Sequence, residues 1–188
     1  PGGVDAWHML GERFGRNDFA TNLRGAIALA DDGFPLSPVV SFFWQKAAEE
    51  FGLLAGAQFE GWNETFLSGG RAPAPGQLWK SPGHAKTLAT LAERGARDFY
   101  EGSVADAILK FSQRSGGHFT SDDLAAHHGE WVAPIGMRYG DADIWEIPPN
   151  GAGIAALQAL GMLDKMPRAD GHLDADGWHR SIEAMKLA

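Results

Sequence analysis

Apolar residues recur at helical spacing through most of this chain, in stretches closed by glycine or proline, so its first two-thirds reads as a series of helices. Val4, Trp7, Leu10 and Phe14 predict one helix and Leu23, Ile27 and Ala30 a second, with Gly15 and Gly33 standing after them as stops. Ser37 before Pro38 offers an N-cap and a proline at the first helical position. Val40, Phe43, Trp44, Ala47, Phe51 and Leu54 then fall on one stripe, which predicts a core helix. Residues 55 to 80 hold many glycines and prolines with isolated aromatics at Phe59, Trp62 and Phe66, the pattern of an ordered but irregular excursion. Ser81-Pro82 repeats the cap-plus-proline signal for a helix running to Gly95. Val104, Ala107, Ile108 and Phe111 mark another, ending near Gly116-Gly117, and Thr120 to Asp123 form a capping box in its acidic variant.

The period then changes. Trp131 to Tyr139 and Asp143 to Ile147 are β-rich runs joined across Gly140-Asp141, which predicts an antiparallel pair near 131 to 147. Pro148 and Pro149 lack amide donors and end sheet pairing. Asn150, Gly151 and Gly153 complete a sharp structural turn, the two glycines permitting backbone angles and close approaches that side chains forbid. Ile154, Leu157, Leu160 and Leu163 open a helix directly after it. Trp178, Ile182 and Met185 mark a last one, with no stop signal before Ala188 and no initiator methionine at the start. The expectation is a helix-rich α+β chain forming a single partial domain over residues 1 to 188, truncated at both ends.

Composition narrows the partners more than the fold. A formal net charge of -8 without a Lys/Arg cluster argues against nucleic acid, and no apolar run approaches the roughly 20 residues of a membrane span. The absence of cysteine excludes disulfides and thiolate chemistry and suits a cytoplasm or a periplasm equally. Asn63-Glu64-Thr65 matches a glycosylation sequon, a triplet that chance supplies readily.

Candidate chemistry is sparse. Gly151-Ala152-Gly153-Ile154-Ala155-Ala156 fits the dinucleotide pattern G-x-G-x-x-A, but prolines intrude before it, and 164 to 177 is polar where a following strand should stand. His118, His127, His128, His172 and His179 invite a metal reading, yet their spacing gives no H-x-x-x-H pair on a clear helix. Asp122 and Asp123 already belong to the capping signal. No cofactor and no metal are expected. Ser81 and Thr120 read as caps, while Ser103 and Ser112 sit in helical patterns without a strained turn or a nearby base, so none reads as a nucleophile.

The stretch Ile147-Pro148-Pro149-Asn150-Gly151-Ala152-Gly153-Ile154 resembles the segment near the end of the large subunit in the gamma-glutamyltransferase (gamma-glutamyltranspeptidase) family. Pro1-Gly2-Gly3-Val4-Asp5-Ala6-Trp7, Ala28 to Ser37, Pro75 to Leu78, Leu88 to Gly95, Phe99-Tyr100-Glu101-Gly102 and Gly116 to Leu124 resemble further family segments in the same order. The resemblance implies a helix-rich piece of the αββα sandwich of N-terminal-nucleophile hydrolases. It also implies a parent that cuts itself and transfers or hydrolyses a gamma-glutamyl or similar small acyl group through an N-terminal threonine, whose own amine can serve as base. On that reading the threonine lies beyond Ala188 in a small subunit of the same precursor, the substrate is a small-molecule amide, and no residue of this chain is catalytic or substrate-binding. The family's central sheets draw strands from both subunits, so the resemblance implies that the β pair presents an open edge and an uncovered apolar face at Ile135, Met137, Ile144, Trp145 and Ile147. Asn150, Gly151 and Ala152 stand where the family usually has a third proline and small hydroxylated residues. Glu130-Trp131-Val132 also departs from the usual sequence. Both departures resemble a bacterial side branch that includes amidohydrolases and acylases, which implies a bacterial cytoplasm or periplasm. The competing expectation is a noncatalytic binding or interaction module with similar turns.

Overall fold

The computed structural model describes residues 1 to 167 and 174 to 188, and the chain divides into two compact units, Pro1–Gly129 and Glu130–Ala188. The first unit opens with α1 (Gly3–Phe14) and α2 (Phe19–Asp32), followed by β1 (Phe34–Pro35), α3 (Pro38–Phe51), α4 (Glu60–Phe66) and β2 (Leu78–Trp79). It closes with α5 (Pro82–Arg94), α6 (Asp98–Glu101), α7 (Ser103–Ser115) and α8 (Ser121–Ala125). The most extensive helix pairing among the described residues is α2 on α5. Val4, Leu23, Leu91, Ala96 and Tyr100 form the buried centre, with Phe19, Ile27, Leu88, Phe99 and Val104 packed around it. Leu91 and Tyr100 are each only 1% exposed, and burying side chains of this size contributes about 1.5 to 3 kcal/mol apiece.

Caps set several boundaries. The Ser37 hydroxyl accepts from the Val40 amide at 3.2 Å, as the Ser-Pro signal predicts, and the Asp18 carboxylate accepts from Thr21 at the start of α2. Thr120 and Asp123 form the expected box in both directions. Ser81 differs: it stands at the cap position of α5, but its hydroxyl lies 2.6 Å from His84 Nδ1 and makes no capping bond. Gly33 has φ +90, and a Cβ there would sit 2.8 Å from the Trp79 carbonyl, so only glycine lets β1 leave α2 and pair antiparallel with β2.

The expected core helix is the main correction. α3 forms as predicted, yet of the expected stripe Val40, Phe43, Phe51 and Leu54 are between 40% and 65% exposed while Trp44 and Ala47 are half-buried. The one fully buried residue of the helix is Ser41, whose hydroxyl donates to the Pro73 carbonyl at 2.7 Å. Periodicity identifies which residues share a face, and says nothing about whether another element covers it. Trp44 is held on the 55 to 80 excursion by a 2.8 Å hydrogen bond to the Phe66 carbonyl and by ring contacts with Phe66 and Trp79. The excursion is ordered around these aromatics and contributes α4.

In the second unit, β3 (Ile135–Tyr139) and β4 (Ala142–Glu146) pair antiparallel across Gly140-Asp141, with Tyr139 opposite Ala142 and Ile135 opposite Glu146. Gly140 has φ +59, suited to a two-residue hairpin. α9 (Gly153–Leu163) packs on both strands and on α10 (Ala175–Leu187). It half-buries Ile135, Met137 and Ile144 and leaves Trp145 and Ile147 63% and 65% exposed on the other side. Of the five residues expected on an open face, two are therefore open. α10 buries Ala184 and exposes its apolar stripe of Trp178, Ile182 and Met185.

Candidate functional site

The turn singled out in the sequence lies between β4 and α9. Pro148 and Pro149 follow the last paired residue of the strand, and Gly153 begins the helix. Gly151 and Gly153 do not occupy the left-handed region, so the angle part of the expectation fails. Close approach holds for one of them. A Cβ on Gly153 would lie 2.8 Å from Glu146 Cβ and would also strike that carboxylate, whereas one on Gly151 would meet Ile147 no closer than 3.6 Å. Gly153 is thus needed for room rather than for backbone freedom. Gly153→Val is expected to cost a few kcal/mol of stability, read as a lower urea midpoint, because the branched side chain must push the end of β4 away from α9. A Gly153→Val chain with an unchanged midpoint would show that the contact is dispensable.

In the first unit, polar groups from distant parts of the sequence meet around Tyr100. Its hydroxyl donates to the Pro1 carbonyl at 2.7 Å and accepts from the Asp5 amide at 3.1 Å, while Asp5 Oδ2 accepts from the Gly129 amide at 2.5 Å. The His127 ring stacks on Tyr100 at 5.0 Å, and Arg97 donates to the His127 and Ala125 carbonyls. Burial pushes the Tyr100 hydroxyl above the ordinary phenol value, so it stays protonated and able to donate. This arrangement ties residues 1 to 5, 97 to 101 and 125 to 129 together. It holds no nucleophile.

Asp98 lies just before the Phe-Tyr-Glu-Gly stretch and reaches past it to the start of α7. Its Oδ2 accepts from the Ser103 hydroxyl at 2.9 Å and the Val104 amide at 3.0 Å, so the carboxylate caps α7 from five residues upstream. Burial works to raise its pKa, but these bonds and the Arg94 guanidinium outweigh it and hold the carboxyl below its usual value. Thr120 bonds lower Asp123, and the Arg97 fork lowers Glu101. With folded values below unfolded ones, this stabilisation is complete above the ordinary carboxylate range near pH 4 and is lost as pH falls through the folded values. The urea midpoint should therefore hold from about pH 7 to 5 and drop below about pH 4. Asp98→Asn should lower it at neutral pH and make the acid loss shallower. Superimposable profiles for the two chains would contradict this account of Asp98.

The remaining candidates separate. Ser103 is engaged by Asp98, and the Ser112 hydroxyl is buried and accepts from the Phe119 amide at 3.1 Å. Ser81 and His84 form an exposed pair on the first turn of α5 in place of the expected Ser81 cap. His118, His128 and His179 are exposed, and His172 lies outside the described residues. Among the described residues no three His, Asp or Glu side chains converge as a metal site would require. The strand before Gly151 belongs to an antiparallel hairpin, which removes the parallel βαβ setting a dinucleotide site needs. No helix among the described residues is long and apolar enough to cross a membrane.

The sequence profile of the family described as Gamma-glutamyltranspeptidase matches residues 1–188. The chain belongs to that family. It is 33% identical to the glutathione hydrolase-like YwrD proenzyme of Bacillus subtilis over 99% of its own length and 35% of the relative's. Against the oxamate amidohydrolase proenzyme of Klebsiella pneumoniae it is 31% identical, over 100% of this chain and 34% of that protein. Its fold superposes on cephalosporin acylase from Bacillus halodurans with a TM-score of 0.91 at 39% identity, covering 100% of this chain and 35% of the acylase. The Helicobacter pylori gamma-glutamyltranspeptidase structure matches with a TM-score of 0.87 at 26% identity, covering 99% of this chain and 53% of that one. The helix-rich α+β class with its small antiparallel pair is thus part of the N-terminal-nucleophile hydrolase fold of this family. The chain spans about a third of the length of these two curated relatives.

Proposed function

We propose that this chain is an internal part of the large subunit of an enzyme that transfers or hydrolyses a gamma-glutamyl or similar small acyl group. The parent cuts itself and uses the freed N-terminal threonine of a small subunit as nucleophile, with that threonine's amine as base. The match along all 188 residues to one family of such enzymes carries this reading, since a noncatalytic module with similar turns would have no reason to match throughout. Within the parent the chain is scaffold. The Tyr100 cluster, the Asp98 cap and the Pro148 to Gly153 turn fix helices and strands, and none presents a nucleophile with a base and oxyanion donors. The small subunit of the same precursor is its partner.

A second reading within the family, an amidohydrolase or acylase with a different acyl donor, is favoured by two matches. They are the 39% identity to a cephalosporin acylase and the 31% identity to an oxamate amidohydrolase. Expressing the whole gene separates the readings. Mass spectrometry should find two subunits, the second beginning with threonine, and turnover should be compared on a gamma-glutamyl anilide, oxamate and a cephalosporin amide. An uncut product inactive on all three would overturn the proposal.

A further inference from the structure

We draw no further inference here: the strongest candidate, the apolar groove of about 550 Å³ between α1, α2 and α5 lined by Val4, Trp7, Phe19, Leu23, His84 and Leu88, is an unpartnered face with nothing in the structure to show what covers it.

Discussion

Gly102→Ala is expected to lower the stability of the chain by about 3 kcal/mol, far more than an exposed glycine-to-alanine change usually does. A Cβ at this position would lie 2.9 Å from Asp98 Cα and closer still to the Asp98 carboxylate. The backbone cannot yield cheaply, so the carboxylate must swing out. That costs the cap on Val104 and the bond from Ser103 and leaves polar groups beside the core without partners. Gly25 is the control. It lies inside α2 with nothing within 4 Å of a built Cβ, so Gly25→Ala should stabilise by about 0.5 to 1 kcal/mol through helix propensity. Urea unfolding followed by tryptophan fluorescence reads both. If Gly102→Ala matched Gly25→Ala in sign, the Asp98 cap would not be the reason for glycine at this position.

The isolated chain should self-associate and bind a hydrophobic dye, because its apolar faces lack cover within each unit. On α3, Val39 and Phe43 are each 65% exposed, and on the β pair Trp145 and Ile147 are exposed to a similar degree. β3 and β4 form a two-stranded sheet with unpaired outer edges among the described residues. Val39→Glu combined with Phe43→Glu, and separately Trp145→Glu, should each reduce dye fluorescence by about twofold or more and shift sedimentation toward the monomer. The helices should survive the α3 changes, since neither residue belongs to the buried centre. A monodisperse wild-type monomer that ignores the dye and unfolds in one sharp transition would contradict the fragment reading and support an independent module.

Local signals in the sequence translated well into structure, because they depend on residues a turn or less apart. The Ser37 and Thr120 caps, the Gly140-Asp141 hairpin and every helix predicted from apolar spacing are present. Ser81 failed as a cap because a histidine three residues on competes for its hydroxyl, a contact the local pattern Ser-Pro-Gly-His contains but does not rank. Cover was the larger gap. The α3 stripe is as apolar as a core helix, and what packs on it is a nonlocal fact that spacing does not encode. The Tyr100 cluster was invisible for the same reason, joining Pro1 and Asp5 to Tyr100 across 99 and 95 positions and Asp5 to Gly129 across 124. The Asp98 cap was within reach. An acidic residue five positions before a Ser-Val helix start, with glycine between them, was the available signal.

Activity of the 188-residue chain beside its full-length parent tests most directly the claim that this chain is a scaffold without its own nucleophile. With a chromogenic gamma-glutamyl anilide and the other two amides, the account predicts turnover by the self-cleaved parent and none above buffer by the chain alone. Turnover by the chain that disappeared on Ser81→Ala or His84→Ala would contradict it, since those residues place a hydroxyl 2.6 Å from an imidazole nitrogen.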